Sequence, residues 1–296
     1  MKTLNIGTVT VDRVQDWVGP VFRVPGMWPA STWEQVEAQR DWLEPHFLAP
    51  RKNAGEVPEK DRILDISLHT YLVRTPKFNI LIDTCVGNDR SRQAIPDWHM
   101  MNTDYLAKIA AFGISPEDVH YVMCTHLHFD HVGWNTKLLN GRWVPTFPNA
   151  RYIFHKTEYD YWIDHQDHFA MDGAFPDSVL PIVEAGRADL VKGDFAIDDT
   201  IWLEPSPGHT PGHVCINLAD GKDSALFTGD AFHHPLQVAY PEWSLHADTD
   251  MAGSAHARRK IIDKICDTDT YIMAAHFMDP TIARIVRNKD RWKLRV

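Results

Sequence analysis

The segment Thr125-His-Leu-His-Phe-Asp-His-Val-Gly-Trp134 places three histidines and one aspartate within six positions, directly after an apolar stretch. In an extended chain, residues two positions apart point to the same side, so His126 and His128 can bind one metal ion together. A turn after Phe129 would bring Asp130 and His131 towards a second ion. Imidazole and carboxylate ligands without thiolate suit zinc, manganese, iron or cobalt.

Further aspartates and histidines follow other predicted strands. Asp83 closes one strand, and His209, Asp230 and His276 each come directly after another. Loops at one edge of a rigid scaffold are where proteins commonly present their functional groups. We therefore expect these side chains to converge with the cluster at 126–131 on one metal centre.

The elements that must position these residues are strands mixed with helices, in an order that favours an α+β sandwich over a regularly alternating parallel fold. Period-two alternation and short apolar runs predict strands at 64–72, 78–83, 120–125, 150–154, 200–204, 213–218, 224–228 and 270–275. Helical patterns cover residues 103–112, 156–162, 175–184 and 251–265.

The N-terminal segment shows no clear strand pattern, and several tryptophans are scattered through it. Ser31, with Glu34 three positions later, is a capping-box signature that predicts a helix from about Thr32 to His46. The charged stretch at 51–62 is expected to form an exposed loop.

At 296 residues with 44% hydrophobic content, the chain can form one large domain with a substantial core. We expect residues 1–63 to be an extension that packs on or caps the site, or that makes a homodimer contact. A net charge of −10 argues against binding to nucleic acid or an anionic membrane. The sequence shows neither a signal-like start nor a membrane-spanning run, so we expect a cytoplasmic protein with its four cysteines reduced.

The His-x-His-x-Asp-His string resembles the signature of the metallo-β-lactamase superfamily, whose fold is a four-layered αβ/βα sandwich. The other parts of that pattern occur in order between residues 64 and 276, as Asp83, His209, Asp230 and His276. The resemblance implies that one ion is bound by His126, His128 and His209. It implies that the other is bound by Asp130, His131 and His276, that Asp230 touches both, and that Asp83 supports the metal loop from behind.

This resemblance implies a dinuclear hydrolase with two divalent ions, in the first instance zinc. Two ions a few ångströms apart can share a hydroxide that attacks a carbonyl or phosphorus centre. Asp130 is placed to move a proton as the leaving group departs. Gly-x-Ser-x-Gly is absent from the chain, which weakens a serine-hydrolase alternative.

The segment after Asp230 resembles the branch of N-acyl homoserine lactonases and methyl parathion hydrolases. Some lactonases carry a tyrosine there that holds the substrate carbonyl, whereas this chain has Phe232, His233 and His234. Either His233 or His234 could supply that donor, or either could merely pack. We expect His233 to contact substrate as a catalytic group, and Trp134, Phe232 and His234 to line the substrate pocket.

The first hypothesis for function is therefore hydrolysis of a lactone or related ester, as in quorum quenching. The second is phosphotriesterase or aryl-ester hydrolase activity at the same site. A third, iron-dependent oxidation on the same fold, typically uses one iron and does not need Asp130 and His276 as ligands of a second ion. This chain has both residues, which disfavours that alternative.

Overall fold

The computed structural model describes residues 3–50, 57–58, 62–93 and 95–296. Its strands, in chain order, are β1 (Leu4–Ile6), β2 (Val9–Arg23), β3 (Ile63–Arg74), β4 (Asn79–Ile82), β5 (Tyr121–Met123), β6 (Thr136–Leu139), β7 (Arg142–Pro145), β8 (Arg151–His155), β9 (Ala188–Val191), β10 (Ile201–Pro205), β11 (Val214–Asp220), β12 (Asp223–Gly229), β13 (Tyr271–Ala274), β14 (Arg284–Asn288) and β15 (Arg291–Arg295). Its α-helices are α1 (Trp33–Glu37), α2 (Arg40–Leu43), α3 (Tyr105–Ala110), α4 (Phe129–Val132), α5 (Lys156–Asp164), α6 (Leu180–Glu184), α7 (Leu236–Ala239) and α8 (Met251–Ile265). Short 3-10 helices occur at Pro96–Trp98, Pro116–Asp118 and Gly133–Asn135, and a π-helical turn at Phe175–Val179 precedes α6.

Two sheets pack face to face and form the centre of the molecule. The first has the order β1-β2-β3-β4-β5-β8-β9, and the second has the order β10-β11-β12-β13. Alternate apolar side chains from both sheets, including Val73, Ile80, Ile216 and Phe227, meet in a buried core between them. A second core lies on the outer faces beneath the helices. The α+β sandwich predicted from the sequence is the fold of the chain.

The strands that end at the predicted site are paired in parallel within each sheet. In the first sheet β4 and β5 pair in parallel, and in the second sheet β12 and β13 pair in parallel. The carboxyl ends of parallel neighbours lie at the same edge of a sheet, so the loops after these strands meet there. Asp83, the 126–131 loop, Asp230 and His276 all follow such ends.

The N-terminal segment differs from the irregular structure expected from its sequence. Strand β2 is fifteen residues long and pairs antiparallel with almost the whole of β3. Two bulges, at Gln15/Trp17 and Pro20/Phe22, interrupt the register. Each bulge shifts which side chains point inwards, and this breaks the period-two pattern that would have identified the strand. The expectation of an irregular segment was therefore wrong for residues 9–23.

The predicted helix at 32–46 consists of two short helices, α1 and α2, which are separated by Ala38 and Gln39. The capping box is formed by Thr32 and Gln35, one residue later than the predicted pair. The Ser31 hydroxyl instead donates to the Trp28 carbonyl. The charged loop expected at 51–62 lies mostly outside the described residues.

Candidate metal centre

The loop that follows β5 is held by the neighbouring loop that follows β4. The carboxylate of Asp83 accepts the backbone N–H and the hydroxyl of Thr125, each at 2.8 Å. The backbone N–H of Gly133 donates to the Cys85 carbonyl at 2.7 Å. A Cβ at position 133 would lie 1.7 Å from the Val86 carbonyl oxygen, so this approach requires glycine. This loop carries the predicted ligands at 126–131 and is called the metal loop below. It is therefore fixed at both of its ends.

His126, His128 and His209 form the first ligand group, because their ring nitrogens all lie within 4.8 Å of one another. His128 Nδ1 is 3.0 Å from His209 Nε2, and the rings of His126 and His128 are 4.5 Å apart. Each of the three side chains is buried. The extended chain from 126 to 128 thus directs both imidazoles to the same side, as predicted.

Asp130, His131 and His276 form the second ligand group within the same distance limit. The short helix α4 supplies the turn that brings Asp130 and His131 to this side. His276 Nε2 lies 3.6 Å from Asp130 Oδ2, and His131 Nε2 lies 3.7 Å from that oxygen. The first half of the metal loop therefore contributes to the first group, and its second half contributes to the adjacent second group.

Asp230 lies between the two groups. Its Oδ1 is 3.2 Å from His131 Nε2 and 3.0 Å from His276 Nε2. Its Oδ2 is 3.4 Å from His209 Nε2 and 3.8 Å from His126 Nε2. One carboxylate thus reaches both positions, which is the geometry needed to bridge two ions.

The electrostatics of the buried cluster favour bound cations. Burial lowers the pKa of His126 well below its usual value, and the neighbouring imidazoles of His131 and His128 lower it further. Burial would also lower the pKa of His131, but Asp230 and Asp130 outweigh it and raise that pKa well above its usual value. Neutral imidazole and ionised carboxylate are the forms that bind metal. The carboxylates here supply negative charge that either protons or metal ions must balance.

Several buried polar atoms in the cluster lack hydrogen-bond partners within the described part of the chain. They are His126 Nε2, His128 Nε2, His131 Nε2, Asp230 Oδ1 and His233 Nδ1. Buried polar atoms are normally paired, and an ion is one of the partners that can satisfy them. The donor set, the burial and these unpaired atoms fit two divalent cations, one in each ligand group.

The ligand rings are oriented by partners behind them. His131 Nδ1 lies 3.0 Å from Asp83 Oδ2, and His209 Nδ1 lies 2.8 Å from Asp248 Oδ1. His276 Nδ1 lies 3.2 Å from the Ser67 carbonyl oxygen. In each case the oxygen accepts the Nδ1 proton, which leaves Nε2 free to bind metal.

Sequence reasoning identified Asp83 among these partners but not Asp248. Asp248 is buried in an irregular segment between α7 and α8. Its second oxygen accepts the Leu245 backbone N–H at 3.0 Å. Its sequence neighbours form no motif, so only the folded structure shows its contact with His209.

Glu158 was also missed as a supporting residue. This buried carboxylate accepts the backbone N–H of Leu127 at 3.1 Å and that of Gly212 at 2.9 Å. The Trp162 indole donates to it at 2.6 Å. Because Leu127 and Gly212 lie in the two loops that carry the first ligand group, Glu158 ties those loops together.

Two of the predicted catalytic residues lie at the centre of the cluster. His233 Nε2 is 3.0 Å from Asp230 Oδ2, and His233 Nδ1 is buried and has no hydrogen bond within the described residues. The His233 ring stacks on that of His276, with centroids 5.6 Å apart. The Asp130 side chain is 13% exposed, whereas the other six predicted ligand residues are each at most 4% exposed. Asp130 is thus the ligand most accessible to water.

The structure places the three predicted pocket residues in buried positions. Trp134 stacks on Tyr105 with ring centroids 5.0 Å apart, and its indole donates to Asp16 at 3.2 Å. Phe232 is fully buried. Both ring nitrogens of His234 are engaged, one with the carbonyl of Phe47 at 3.0 Å and the other with the N–H of Leu236 at 3.2 Å.

The N-terminal segment contacts the chain that follows Asp230. The ring centroid of Phe22 is 5.9 Å from that of His233, and the ring of Trp28 is 6.2 Å from that of His234. Trp28 also packs against Trp243 at 5.8 Å. These aromatic contacts bring the segment to one side of the candidate metal centre.

A family model described as the metallo-β-lactamase superfamily matches residues 67–276. The chain belongs to this superfamily. With its buried His and Asp ligand set, it is a metal-dependent hydrolase. Within the described residues, no helix is both long and apolar enough to cross a membrane.

Two relatives of this superfamily member are named as N-acyl homoserine lactonases. The AttM protein of Azorhizobium caulinodans is 33% identical over 236 residues, which cover 73% of this chain and 83% of AttM. A protein of Bacillus sp is 29% identical over 183 residues, which cover 57% of this chain and 65% of that relative.

Solved structures also share the fold. The hydrolase AbOPH of the β-lactamase superfamily superposes with a TM-score of 0.78 at 23% identity, covering 99% of this chain and 95% of that one. AidC, described as a dizinc quorum-quenching lactonase, superposes with a TM-score of 0.76 at 20% identity, covering 99% and 96%. These likenesses confirm the metallo-β-lactamase fold over nearly the whole chain.

Proposed function

We propose that the chain binds two divalent ions, zinc in the first instance, and hydrolyses N-acyl homoserine lactones. The observation that carries the proposal is the position of Asp230 between two groups of three ligands. The relatives named as lactonases support the substrate class. Removal of such lactones from the surroundings would make the reaction a quorum-quenching one.

When bound, two such ions activate water as a nucleophile at neutral pH and polarise the ester oxygen. The part of the protein is to hold the ligands in place. His131, His209 and His276 are each oriented through Nδ1 by an oxygen atom, so their Nε2 atoms keep a fixed direction. Preorganised ligands of this kind need no rearrangement during the reaction.

His233 occupies the place where some lactonases have a tyrosine, and it can do the same work. Its Nε2 lies 3.0 Å from Asp230 Oδ2, and in this proposal a substrate carbonyl held at the cluster would meet it there. Burial lowers the pKa of His233, and Asp230 opposes that shift only in part. A neutral imidazole can carry its proton on Nε2 and donate it to the carbonyl oxygen.

Asp130 is suited to carry the proton of the leaving alcohol. It is the most exposed of the ligand residues, and one of its oxygens lies near both His131 and His276. A carboxylate in this position can accept a proton from water and return it to the departing oxygen. In a lactone, that step leaves the acyl group and the new alcohol on one product molecule.

Hydrolysis of a phosphotriester or an aryl ester at the same centre is the second candidate. The chain shares its fold with the hydrolase AbOPH, and the same ligand set could serve either reaction. Turnover of N-hexanoyl homoserine lactone and of a nitrophenyl phosphotriester, measured side by side, ranks the two. We expect the lactone to be preferred.

The control is the same protein treated with a chelator. If neither substrate is turned over above this control, both assignments fail. Elemental analysis of the purified chain tests the dinuclear claim separately, since we expect two ions per chain. A single iron per chain would instead favour an oxidoreductase.

A further inference from the structure

A cavity of about 480 Å³ lies outside the metal centre, on the outer face of the second sheet. It is bounded by α8, by strands β10 to β12, and by the loop at 206–211. None of the seven predicted ligands lines it, although Gly208 precedes the ligand His209. Its volume is in the range of pockets that bind small organic molecules.

Most of the cavity wall is apolar. Its lining includes Pro207, Pro211 and, from β12, Leu226. Helix α8 contributes Ala257 and Ile261, which are one turn apart. A ligand that fills this space must therefore have an apolar body.

The rim of the cavity carries one cationic group, Lys260, and the imidazole of His256, in a chain of net charge −10. His256 and Lys260 lie on successive turns of α8, and both are exposed. Within the described residues, no carboxylate forms an ion pair with Lys260. Of the two carboxylates in the lining, Glu204 pairs with Lys264 and also lies within electrostatic reach of Lys260, whereas Asp250 accepts the Gly253 N–H at 3.0 Å.

The wall of the cavity is joined to the metal centre by backbone contacts. The N–H of Asp250 donates to the Gly208 carbonyl, and the N–H of Thr249 donates to the His209 carbonyl, each at 2.9 Å. A Cβ at Gly208 would lie 2.2 Å from the Ser254 backbone nitrogen. The loop that carries His209 is therefore packed directly against the start of α8.

We propose that this cavity is a second binding site, which takes a small amphipathic carboxylate. The hydrocarbon part lies along Leu226, Ala257 and Ile261, and the carboxylate meets Lys260 and His256 at the rim. The proposal does not depend on which ester the metal centre hydrolyses. A molecule bound here touches the loop of one metal ligand without touching the ions.

The test is a calorimetric titration of the metal-loaded chain with decanoate. Because a carboxylate can also bind at the metal centre, we expect two molecules per chain. Ala257→Phe fills the cavity and should leave one. Lys260→Gln removes a charge-assisted hydrogen bond and should weaken the same site by about tenfold.

Lys222→Gln is the matched control, since Lys222 is exposed in the turn between β11 and β12. It should leave both sites unchanged. Decyltrimethylammonium, which has the same chain length and the opposite charge, should not bind in the cavity. If Ala257→Phe does not fold, the exposed substitution at Lys260 decides the question alone.

Three results would overturn the proposal. They are no decanoate bound by the wild-type chain, the same number bound per chain by a folded Ala257→Phe protein as by wild type, and equal affinities in Lys260→Gln and wild type. A crystal structure grown with decanoate gives an independent check. A second copy of the chain in the cavity would assign this face to self-association, against the proposal.

Discussion

The Nε2 atom of His213 accepts a hydrogen bond from the backbone N–H of Asp230 at 3.1 Å. Its Nδ1 lies 2.8 Å from the Ser206 hydroxyl. Since Nε2 is the acceptor, the proton is on Nδ1, which donates to Ser206. Burial lowers the pKa of His213 to about 3, so the acceptor persists at neutral pH. A histidine outside the predicted ligand set thus fixes the backbone of Asp230, the residue proposed to bridge the ions.

Replacing this histidine should weaken metal binding. His213→Phe leaves the buried N–H of Asp230 without an acceptor, and the aspartate loses its fixed position. We expect the affinity for zinc to fall by roughly 10- to 100-fold, as for other residues that support metal ligands. Competition with a chromophoric chelator measures it.

Ser206→Ala should have a smaller effect in the same direction, because His213 keeps its contact with Asp230. Ser224→Ala is the control, since its hydroxyl contacts Thr270 at the far end of the second sheet. Wild-type zinc affinity in both His213→Phe and Ser206→Ala would show that His213 has no positioning role.

Asp248→Asn tests whether Asp248 orients His209, one of the three predicted ligands in the first group. The carboxylate accepts the Nδ1 proton of His209, and a neutral amide is a weaker acceptor. We expect zinc affinity to fall about tenfold, and the metal-free protein should also lose stability, because Asp248 faces the buried Arg258 at 4.0 Å. The exposed Asp199→Asn provides a charge-matched control. Equal zinc affinities in Asp248→Asn and Asp199→Asn would contradict the assigned role.

His233→Phe tests the proposed donor to the substrate carbonyl. The change keeps a ring of similar size and removes both ring nitrogens. We expect kcat for the lactone to fall by roughly 10²- to 10³-fold, as for loss of a single donor to the developing charge. Elemental analysis of the variant should still give two ions per chain. Loss of one ion would instead identify His233 as a metal ligand.

Chelation should destabilise the chain. The ions bind the folded state, and at a thousand times Kd each site contributes about 4 kcal/mol. We expect the Tm to fall on the order of 10 °C after dialysis against a chelator. Added zinc should restore it, and calorimetry records both changes. An unchanged Tm would contradict tight binding of two metal ions to the folded chain.

His234 predicts a pH dependence of folding. Burial lowers its pKa from 6.5 to about 4. Between these values the unfolded chain binds a proton that the folded chain does not, so stability falls as the pH falls from about 6.5 towards 4. The total contribution is about 3 kcal/mol, and it is fully present above pH 6.5.

His234→Gln isolates this contribution, because glutamine can still donate to the Phe47 carbonyl but does not titrate. Urea unfolding of the metal-free proteins at several pH values should show a shallower decline for the variant. Parallel curves for the two proteins would mean that His234 does not contribute to the acid sensitivity.

The ligand positions were predictable because each follows a strand with a readable pattern. The strands after residue 64 alternate regularly or form short apolar runs, and the polar residues at their ends were visible as clusters. The edge strand β9 and the hairpins β6–β7 and β14–β15 went unpredicted. Most residues of β6, β7 and β9 are only partly buried, so hydrophobic periodicity carries little information there. Strands β14 and β15 do bury Ile285, Trp292 and Leu294, and their pattern was missed.

The supporting residues were harder to predict than the ligands. Asp248 and Glu158 act through contacts with residues at least 30 positions away, such as His209 and Leu127. No spacing of residues in the local sequence predicts such a contact. Strand β2 was missed for a different reason, because its bulges and its buried Asp12 and Asp16 disrupt the pattern of a half-buried strand.

The pairing of β2 with β3 also limits how far the chain can be shortened from its N-terminal side. The family match begins at residue 67, so a chain shortened to the matched residues would lack both β1 and β2. Strand β3 would then become a long apolar edge with unpaired backbone groups, which is the kind of edge that recruits other chains. Expressed alone, the matched catalytic portion should aggregate. We therefore expect the residues before the recognisable motif to be needed to keep β3 from pairing with other chains.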